Sequence, residues 1–254
     1  MNKHKVANPP VGSINTKLET IRRELRLVFG VPERKALLPD PLDLLIATIL
    51  SQNTNDINSH RAYTNLKKRF PNFMTLSKVK PSVIENLIRV GGIAKRKSKV
   101  ISKVVSQLES EFPDFRRRSL AKVERNVLIA HLCRLDGVGY KTAACVSLFA
   151  LGDDNAFPVD THIHRILNRV GVLATRNPDQ TYETIRDSVP DGVGYELHLN
   201  LIKFGRKVCT AVRPRCFECP IYARCGWEKK TRQTFQVPPK AGSKKIDFMH
   251  LEEV

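Results

Sequence analysis

Hydrophobic residues recur along this chain at the spacing of helix faces, and the alternation typical of strands is nearly absent. Residues 42–50 are apolar almost all round, which predicts a buried central helix. They are followed by a polar stretch, residues 51–56, in which Asp56 is expected to cap the next helix. Pro81 suits the first turn of another helix, because its missing amide hydrogen costs nothing there. The pattern predicts an all-α protein.

A longer amphipathic helix is predicted over about residues 94–109. Its buried face is expected to consist of Ile101, Val104, Val105 and Leu108. Its start is expected to be exposed and carries Lys95, Arg96, Lys97 and Lys99. Helical spacing predicts further helices over residues 127–135, 142–151, 162–170, 180–188 and 195–205. Thr161 or Asp160 is expected to cap the helix that begins near residue 162.

The chain is strongly basic. Its 254 residues include 43 Lys and Arg but only 25 Asp and Glu, so the formal net charge is +18. An excess this large indicates a polyanionic partner, most often nucleic acid. A basic surface that serves only solubility is the alternative, and the clustering of the basic residues favours nucleic acid.

The sequence shows no sign of export or membrane insertion. No apolar run approaches the roughly 20 residues that a membrane-spanning helix needs. The first residues have no apolar segment of the kind found in secretory signals. We therefore expect an intracellular protein, in the cytoplasm or nucleoid if the source is prokaryotic. The six cysteines are then expected to be reduced or metal-bound rather than paired in disulfides.

A glycine-containing turn separates two apolar stretches of helical character; it reads Leu135-Asp136-Gly137-Val138-Gly139-Tyr140-Lys141-Thr142. Glycine lacks a Cβ atom, so the backbone at Gly137 and Gly139 can adopt a positive φ and approach another molecule closely. A glycine turn that opens a helix also directs free amide groups outward, where they bind phosphate oxygens. Because Lys141 follows directly, the turn is expected to hold a nucleic-acid backbone and present an amine to it.

Four cysteines lie close together near the end of the chain, with the spacing C-x6-C-x2-C-x5-C. They are Cys209, Cys216, Cys219 and Cys225. Thiolates grouped in this way are ligands for zinc or an iron–sulfur cluster. Structural zinc sites usually combine two C-x2-C pairs, and only one is present, so the spacing favours iron–sulfur and leaves zinc open. Arg213 and Arg215 lie between the first two cysteines, where a metal-fixed loop would direct both guanidinium groups at phosphates.

Three motifs of the chain resemble those of the endonuclease III family of DNA glycosylases, within the helix-hairpin-helix superfamily. They are the glycine turn with the following Ala143, the segment Pro158-Val159-Asp160-Thr161-His162, and the cysteine spacing. The motifs occur in the family's order and at similar intervals. The resemblance covers about residues 37–227, which is most of the chain.

The resemblance implies a fold of two helical lobes. Residues 31–154 would form a six-helix lobe that contains the helix-hairpin-helix motif. Residues 1–30 and 155–235 would form the other lobe, with a four-iron four-sulfur cluster on the four cysteines. Residues 236–254, where the apolar pattern fades, are expected to form a flexible tail. The implied partner is double-stranded DNA with a damaged or mispaired base, bound by a monomer.

The resemblance also assigns roles to individual residues. It makes Lys141 the nucleophile and Asp160 its essential carboxylate. A polar residue of the loop after the central helix would fill the gap left by a flipped base, and an apolar wedge would accompany it. The candidates are Gln52 or Asn53 for the gap and Ile93 for the wedge. His162 is a further candidate for lining the pocket, because it follows Asp160 closely in sequence and not because of the resemblance.

The implied reaction is removal of an oxidised pyrimidine through a lysine Schiff base, with strand cleavage at the resulting abasic site by β-elimination. Mismatched uracil or thymine, or methylated cytosine, stay open as substrates, because Ala156-Phe157-Pro158-Val159-Asp160 also resembles a segment of plant 5-methylcytosine glycosylases. Adenine-mismatch glycosylases usually lack a lysine at the hairpin position, so Lys141 argues against that branch. A non-catalytic DNA-binding module is the alternative from another functional class.

Overall fold

The computed structural model describes residues 10–112 and 114–232, which contain helices and loops but no strand, so the all-α prediction is confirmed. The α-helices are α1 (Val11–Phe29), α2 (Pro41–Ser51), α3 (Asp56–Arg69), α4 (Pro81–Ile88), α5 (Ala94–Glu111), α6 (Arg117–Leu120), α7 (Arg125–Leu132), α8 (Tyr140–Cys145), α9 (Thr161–Val170), α10 (Pro178–Ile185) and α11 (Gly194–Lys207). Short 3-10 helices occupy Phe73–Lys78, Arg89–Gly91, Cys216–Glu218 and Tyr222–Arg224. No helix in this part of the chain has the length and apolar character needed to cross a membrane. The predicted tail, residues 236–254, lies outside the described residues.

The described residues form two compact units. One unit consists of residues 35–112 and 114–153, and it contains α2 to α8. The other consists of residues 10–34 and 154–232. It brings α1 together with α9, α10 and α11, which follow more than a hundred residues later in the chain.

α2 is the buried centre of the unit that contains it. The predicted central helix is therefore present, and it packs against α3, α5 and α8. Asp40 caps its start, because the Asp40 carboxylate accepts hydrogen bonds from the amides of Leu42 and Asp43. Its most deeply buried side chains are Leu44, Leu45, Ile46, Ile49 and Leu50. Each of these contributes about 2 kcal/mol to folding relative to an exposed side chain.

α3 is capped by Asn55, so the prediction of Asp56 as the cap is wrong. The Asn55 side chain accepts a hydrogen bond from the Asn58 amide at 2.8 Å, and its backbone is extended. Asp56 is instead the first residue of the helix, where its negative charge is favourable near the positive end of the helix dipole. Asn and Asp cap helices about equally well, so the sequence alone did not separate the two positions.

α5 buries the predicted apolar face, but one of its lysines lies on that face as well. Lys97, which the sequence analysis placed at the exposed start, has only 4% of its surface accessible. It precedes Ile101 by four residues, and residues four apart lie on the same side of a helix. Its neighbours Lys95 and Lys99 are exposed as predicted.

α1 and α11 pack along each other in the other unit. α1 contributes an apolar stripe at helical spacing, made of Ile14, Leu18, Ile21 and Leu25. Beside this stripe the buried carboxylate of Glu196 accepts hydrogen bonds from Arg22 and Arg26. Burial opposes ionisation of Glu196, but the two arginines outweigh it and lower the pKa of this carboxyl.

Candidate active site

The glycine turn between α7 and α8 has one position that only glycine fits. Gly137 has a φ of 80°, and a Cβ atom there would lie 2.8 Å from a methyl carbon of Val100. Gly139 is the N-cap of α8 with an extended backbone, so the positive φ considered for both glycines occurs at Gly137 alone. Between them Val138 is buried, and its amide donates to the carbonyl of Leu135. The turn is thus fixed by packing and hydrogen bonding.

Lys141 is the second residue of α8, directly after this turn. Its side chain is half-buried, whereas the following Thr142 is fully packed in the core. From Thr142 onward every residue of the helix is buried, through the π-helical segment Val146–Ala150 that continues α8. The amine of Lys141 is therefore carried by the first turn of α8, which is accessible, whereas the rest of the helix is buried inside the unit.

The loop after α2 is connected directly to the glycine turn. The side-chain amide of Gln52 donates a hydrogen bond to the carbonyl of Gly137 at 3.3 Å. The next residue, Asn53, is exposed and has a left-handed backbone with a φ of 52°. The structure thus brings Gln52 to the turn and leaves the side chain of Asn53 at the surface.

Ile93 has an unusual conformation for its type. Its backbone is left-handed, with a φ of 50°, and 52% of its surface is exposed. A β-branched residue rarely adopts this region, since Cβ and its branches crowd the backbone. Strain of this kind costs about 1–3 kcal/mol and is concentrated at functional sites. Ile93 is therefore an exposed and strained residue, not part of the core.

Next to Ile93 and Gly137 lies an open depression on the surface of the same unit, here called the basic depression. Its cationic side chains are Arg89, Lys95, Arg96, Lys99 and Lys103, and its acidic ones are Glu85 and Asp136. Lys103 donates to Asp136 at 2.7 Å, and both side chains are well exposed. Cations therefore outnumber carboxylates at the surface beside the glycine turn.

Asp160 is the N-cap of α9; Asp160 and Thr161 were the two residues predicted as possible caps. Its carboxylate accepts a hydrogen bond from the amide of Ile163 at 2.8 Å, and the residue is partly exposed. His162 follows on the first turn and is half-buried, with its Nδ1 atom 3.0 Å from the Arg165 guanidinium. Burial, with smaller effects from nearby arginines, lowers the pKa of His162. This direction favours the neutral form of the imidazole, although the carboxylate of Asp160 opposes the shift.

All four clustered cysteines line a single cavity, together with Arg169, Phe204, Trp227 and other residues. None of the four is in a disulfide. Burial raises the pKa of Cys209 and raises the pKa of Cys219 to about 11, so both thiols are protonated unless a metal displaces the proton. Among the described residues, no group of three or more His, Cys, Asp or Glu side chains is arranged to hold a metal ion.

Two arginines of α9 hold the segment that carries these cysteines. Arg165 donates to the carbonyls of Gly205 and Cys209, and Arg169 donates to those of Thr210 and Ala211. The Arg169 guanidinium also lies 4.1 Å from the centre of the Trp227 ring. The cysteine segment is therefore tied to the helix that Asp160 begins.

The two arginines predicted to contact phosphates lie in this segment. Arg213 is exposed and has a left-handed backbone with a φ of 54°. Arg215 pairs with Glu218 on the following 3-10 helix, and both side chains are well exposed. An exposed ion pair of this kind contributes little stability, so Arg215 can exchange its partner for a phosphate at small cost.

Lys97 is buried beside the loops that follow α2 and precede α5, although it was predicted at the exposed start of α5. Its ammonium donates to the carbonyl of Leu50 at 2.7 Å and to that of Gly91 at 2.9 Å. Burial lowers its pKa to about 8. The signal was available in the sequence, because Lys97 continues the buried face formed by Ile101, Val105 and Leu108 at helical spacing.

Comparison with known proteins identifies the family to which the chain belongs. A family model described as HhH-GPD superfamily base excision DNA repair protein matches residues 46–191. Endonuclease III of Thermotoga maritima is 32% identical over 213 residues, which are 84% of this chain and 94% of the relative. A thymine-DNA glycosylase of Aeropyrum pernix is 28% identical over 220 residues, or 82% of this chain and 94% of the relative.

A solved structure of a trapped covalent intermediate between endonuclease III and DNA has the same fold. It superposes with a TM-score of 0.68 at 26% identity, over 84% of this chain and 95% of that chain. These matches confirm the resemblance found in the three sequence motifs. The chain belongs to the HhH-GPD superfamily of base excision DNA repair proteins and, within it, to the endonuclease III family of DNA glycosylases.

Proposed function

We propose that this protein removes oxidised pyrimidines from double-stranded DNA and then cleaves the strand at the abasic site, with Lys141 as the nucleophile in both steps. The observation that carries this proposal is the position of Lys141, partly accessible on the first turn of α8 after a fixed glycine turn. A similar endonuclease III was trapped in a covalent intermediate with DNA, which supports a nucleophile on the protein.

The proposed chemistry begins with the target nucleotide swung out of the duplex, which costs a few kcal/mol and less at damaged or mispaired bases. The amine nitrogen of Lys141 forms a bond to C1′ of the sugar while the bond from C1′ to the base breaks. The base leaves with the electron pair of that bond and takes up a proton. The sugar ring then opens to an imine on the Lys141 nitrogen.

The imine explains how one amine supports both activities. It makes the proton on C2′ acidic, so a proton acceptor can remove this proton, and the 3′ phosphate then leaves by β-elimination. The strand is thereby cut, and water releases Lys141 from the remaining sugar. A water nucleophile would remove the base without forming the imine, so strand cleavage depends on the lysine.

Asp160 would stabilise the positive charge that develops on the sugar as the base leaves. A carboxylate at a helix N-terminus is held in place by the helix amides, and Asp160 accepts one such hydrogen bond from Ile163. It can also take the proton that the attacking amine must lose. His162, two residues later, is proposed to contact the extruded nucleotide.

The proposed DNA interface combines backbone contacts with wedges. The glycine turn with Gly137 and Gly139 would bind phosphate oxygens through its amides, and the basic depression beside it would attract the strand. Ile93 would enter the duplex as an apolar wedge. Gln52 or Asn53 would fill the gap left by the extruded base. Further phosphate contacts are proposed for Arg213 and Arg215 in the cysteine segment.

We also propose that the four cysteines bind a four-iron four-sulfur cluster. Their thiols line one cavity and are all free, which fits a common ligand. When bound, the cluster would fix the segment that carries Arg213 and Arg215 by metal–thiolate bonds. The purified protein should then contain iron and sulfide in equal amounts and absorb broadly in visible light. Stoichiometric zinc without iron would contradict this assignment.

A second candidate substrate is a mismatched thymine or uracil. The observation that favours it is the similarity to the thymine-DNA glycosylase of Aeropyrum pernix, which extends over most of both chains. Methylated cytosine is the other pyrimidine that the resemblance left open. All of these substrates fit the same reaction, because a pyrimidine base leaves from C1′ in each of them.

The substrate is tested by a panel of duplex oligonucleotides, each with one defined lesion or mismatch. We expect base release followed by strand cleavage at an oxidised pyrimidine, at a rate well above that on mismatched thymine, uracil or methylated cytosine. Faster cleavage at a mismatch would show that the substrate is the mismatched base, while the proposed reaction would stay the same. Binding without base release on every duplex would contradict the catalytic proposal.

A further inference from the structure

We propose that Lys97 is a positioning residue that fixes the two loops through which the protein holds DNA open around an extruded nucleotide. The loops are residues 52–55 after α2, here called the Gln52 loop, and residues 91–93 before α5, called the Ile93 loop. This inference rests on the proposed function, because it assigns those loops the wedge and gap-filling roles described there.

Inside the unit, the ammonium of Lys97 connects the end of α2, which leads into the Gln52 loop, with the start of the Ile93 loop. It donates to Leu50, two residues before Gln52, and to Gly91, two residues before Ile93. Both acceptors are backbone carbonyls, so the contacts fix the course of the chain itself rather than one side-chain rotamer. The two loops are otherwise separated by about forty residues of sequence.

Placing a lysine at this buried position costs free energy. A buried ammonium loses its hydration, and among the described residues no carboxylate forms an ion pair with it to compensate. Part of the cost is offset because Leu50 belongs to the last turn of α2, whose carbonyls carry partial negative charge. An apolar side chain would fill the same space without this cost, so packing alone does not account for a lysine here.

Both loops contain a residue that needs external support. Asn53 and Ile93 have left-handed backbones, which cost free energy for residues other than glycine, and the cost is much larger for the β-branched isoleucine than for asparagine. Such conformations persist only where the surrounding structure holds them in place. Each carbonyl held by Lys97 lies two or three positions before the left-handed residue, Gly91 before Ile93 and Leu50 before Asn53. The same buried ammonium therefore helps to hold the backbone of both loops in these conformations.

The test uses Lys97→Met, which keeps the length and apolar stem but removes all donors. Two reactions of the full-length protein are compared: base release from a lesion duplex, and cleavage of an abasic site in single-stranded DNA. Only the first requires a nucleotide to be extruded from a duplex. We expect base release to fall by about a hundredfold, because small misplacement of positioning groups has effects of this size. Single-strand cleavage should stay within about twofold of wild type.

A fluorescent base analogue beside the lesion supplies a second readout, since its emission rises when the neighbouring nucleotide leaves the stack. Lys97→Met should reduce this rise. Lys122→Met is the matched control, because Lys122 is an exposed lysine of the same unit outside the two loops and the basic depression. It should behave as wild type. Lys97→Arg retains donors and should recover part of the duplex activity.

Three outcomes would overturn the inference. Wild-type duplex activity in Lys97→Met would remove any positioning role. Equal losses on duplex and single-stranded substrates would show a general structural role instead. If Lys97→Met does not fold, Lys97→Gln, whose shorter and uncharged side chain cannot reach both carbonyls, carries the comparison, and an unchanged ratio of the two activities in that variant would also overturn the inference. Failure of the proposed function is distinct, because the wild-type protein would then release no base from any lesion duplex.

Discussion

The carboxylate of Asp160 accepts a hydrogen bond from an amide at the start of α9, and in the proposed reaction it also faces positive charge developing on the sugar. Asp40 caps α2 in the same way but has no proposed part in the reaction. The two residues therefore allow the capping contribution of an aspartate to be separated from its chemical contribution.

We predict that Asp160→Asn lowers the rate of base release by at least about a hundredfold, because it removes the charge that stabilises the transition state. Stability should change by less than about 1 kcal/mol, since asparagine caps helices as well as aspartate does. Asp40→Asn makes the same change at the other cap and should keep full activity. Single-turnover cleavage and thermal unfolding measure both effects. Activity losses that follow stability losses in both variants would favour a purely structural Asp160.

At the residue scale the sequence identified candidates but not their surroundings. Lys97 was placed at the surface because it is charged, although its four-residue spacing to Ile101 indicates the buried face. The left-handed backbone of Ile93 could not be predicted, because the preference of a β-branched residue opposes it and only tertiary contacts hold it. Asparagine adopts this conformation more readily, but residue type alone does not single out Asn53 among the polar residues of its loop. The hydrogen bond from Gln52 to Gly137 joins positions far apart in sequence, which local patterns do not encode.

At the scale of elements, one face of α5 is buried in the core and the opposite face carries exposed cations. Its buried side carries Lys97 and the apolar core residues. Its exposed side carries Lys95, Lys99 and Lys103 at four-residue intervals, which forms a row of cations roughly 12 Å long beside the glycine turn. Such a row matches an extended polyanion better than a single small anion.

We predict that replacing Lys95 and Lys99 with glutamine weakens DNA binding and reduces the dependence of affinity on salt. The slope of log affinity against log salt should become smaller in magnitude by about two, or about 0.9 for each phosphate that the protein no longer neutralises. Lys78→Gln with Lys122→Gln is the matched control, since both are exposed lysines of the same unit outside the basic depression. Fluorescence anisotropy at several salt concentrations measures the slope. Equal slopes in the two double variants would contradict a specific role for α5.

α1 and α11 are joined by the buried Glu196, which predicts an acid-sensitive stability. Because Arg26 and Arg22 lower its pKa from the ordinary value of 4.5, this carboxyl stabilises the folded state above that pH. Its contribution is lost as the pH falls through the lower folded value, when the carboxyl becomes protonated. Glu196→Gln should reduce the free energy of unfolding by about 2 kcal/mol at pH 7 and flatten the fall in stability on acidification.

Chemical denaturation at pH 7 and at acidic pH tests this prediction. Asp187→Asn is the control, because Asp187 pairs with Arg186 at an exposed position of the same unit. Exposed pairs contribute less than about 1 kcal/mol, so this variant should resemble wild type. A Glu196→Gln protein as stable as Asp187→Asn at pH 7 would show that the buried pairs contribute little.

The elements with strong periodicity were predictable from sequence. α2, α4 and α5 lie close to their expected positions, because apolar spacing, a first-turn proline or a polar stop marks each of them. The π-helical segment Val146–Ala150 was expected as ordinary α-helix, since its apolar pattern does not distinguish the two. The four-residue helix α6 was not expected, because so short a helix depends on its tertiary surroundings.

At the scale of the whole molecule, one unit joins residues 10–34 to residues 154–232. Local periodicity contains no information about such a long-range connection, and only the resemblance to a family suggested it. The net charge of +18, by contrast, follows from composition alone and already indicated a polyanionic partner. The type of partner could therefore be inferred from charge alone, whereas the division into two units could be expected only from the family resemblance.

The central claim, that the Lys141 amine becomes bonded to DNA, is tested most directly by borohydride reduction during reaction with a lesion duplex. Reduction converts the imine to a stable amine, so the wild-type protein should form a covalent adduct with DNA, and mass spectrometry should locate it at Lys141. Lys141→Gln should bind the duplex and form no adduct. An adduct of undiminished yield in Lys141→Gln, or none in the wild-type protein on any duplex that it cleaves, would contradict the account.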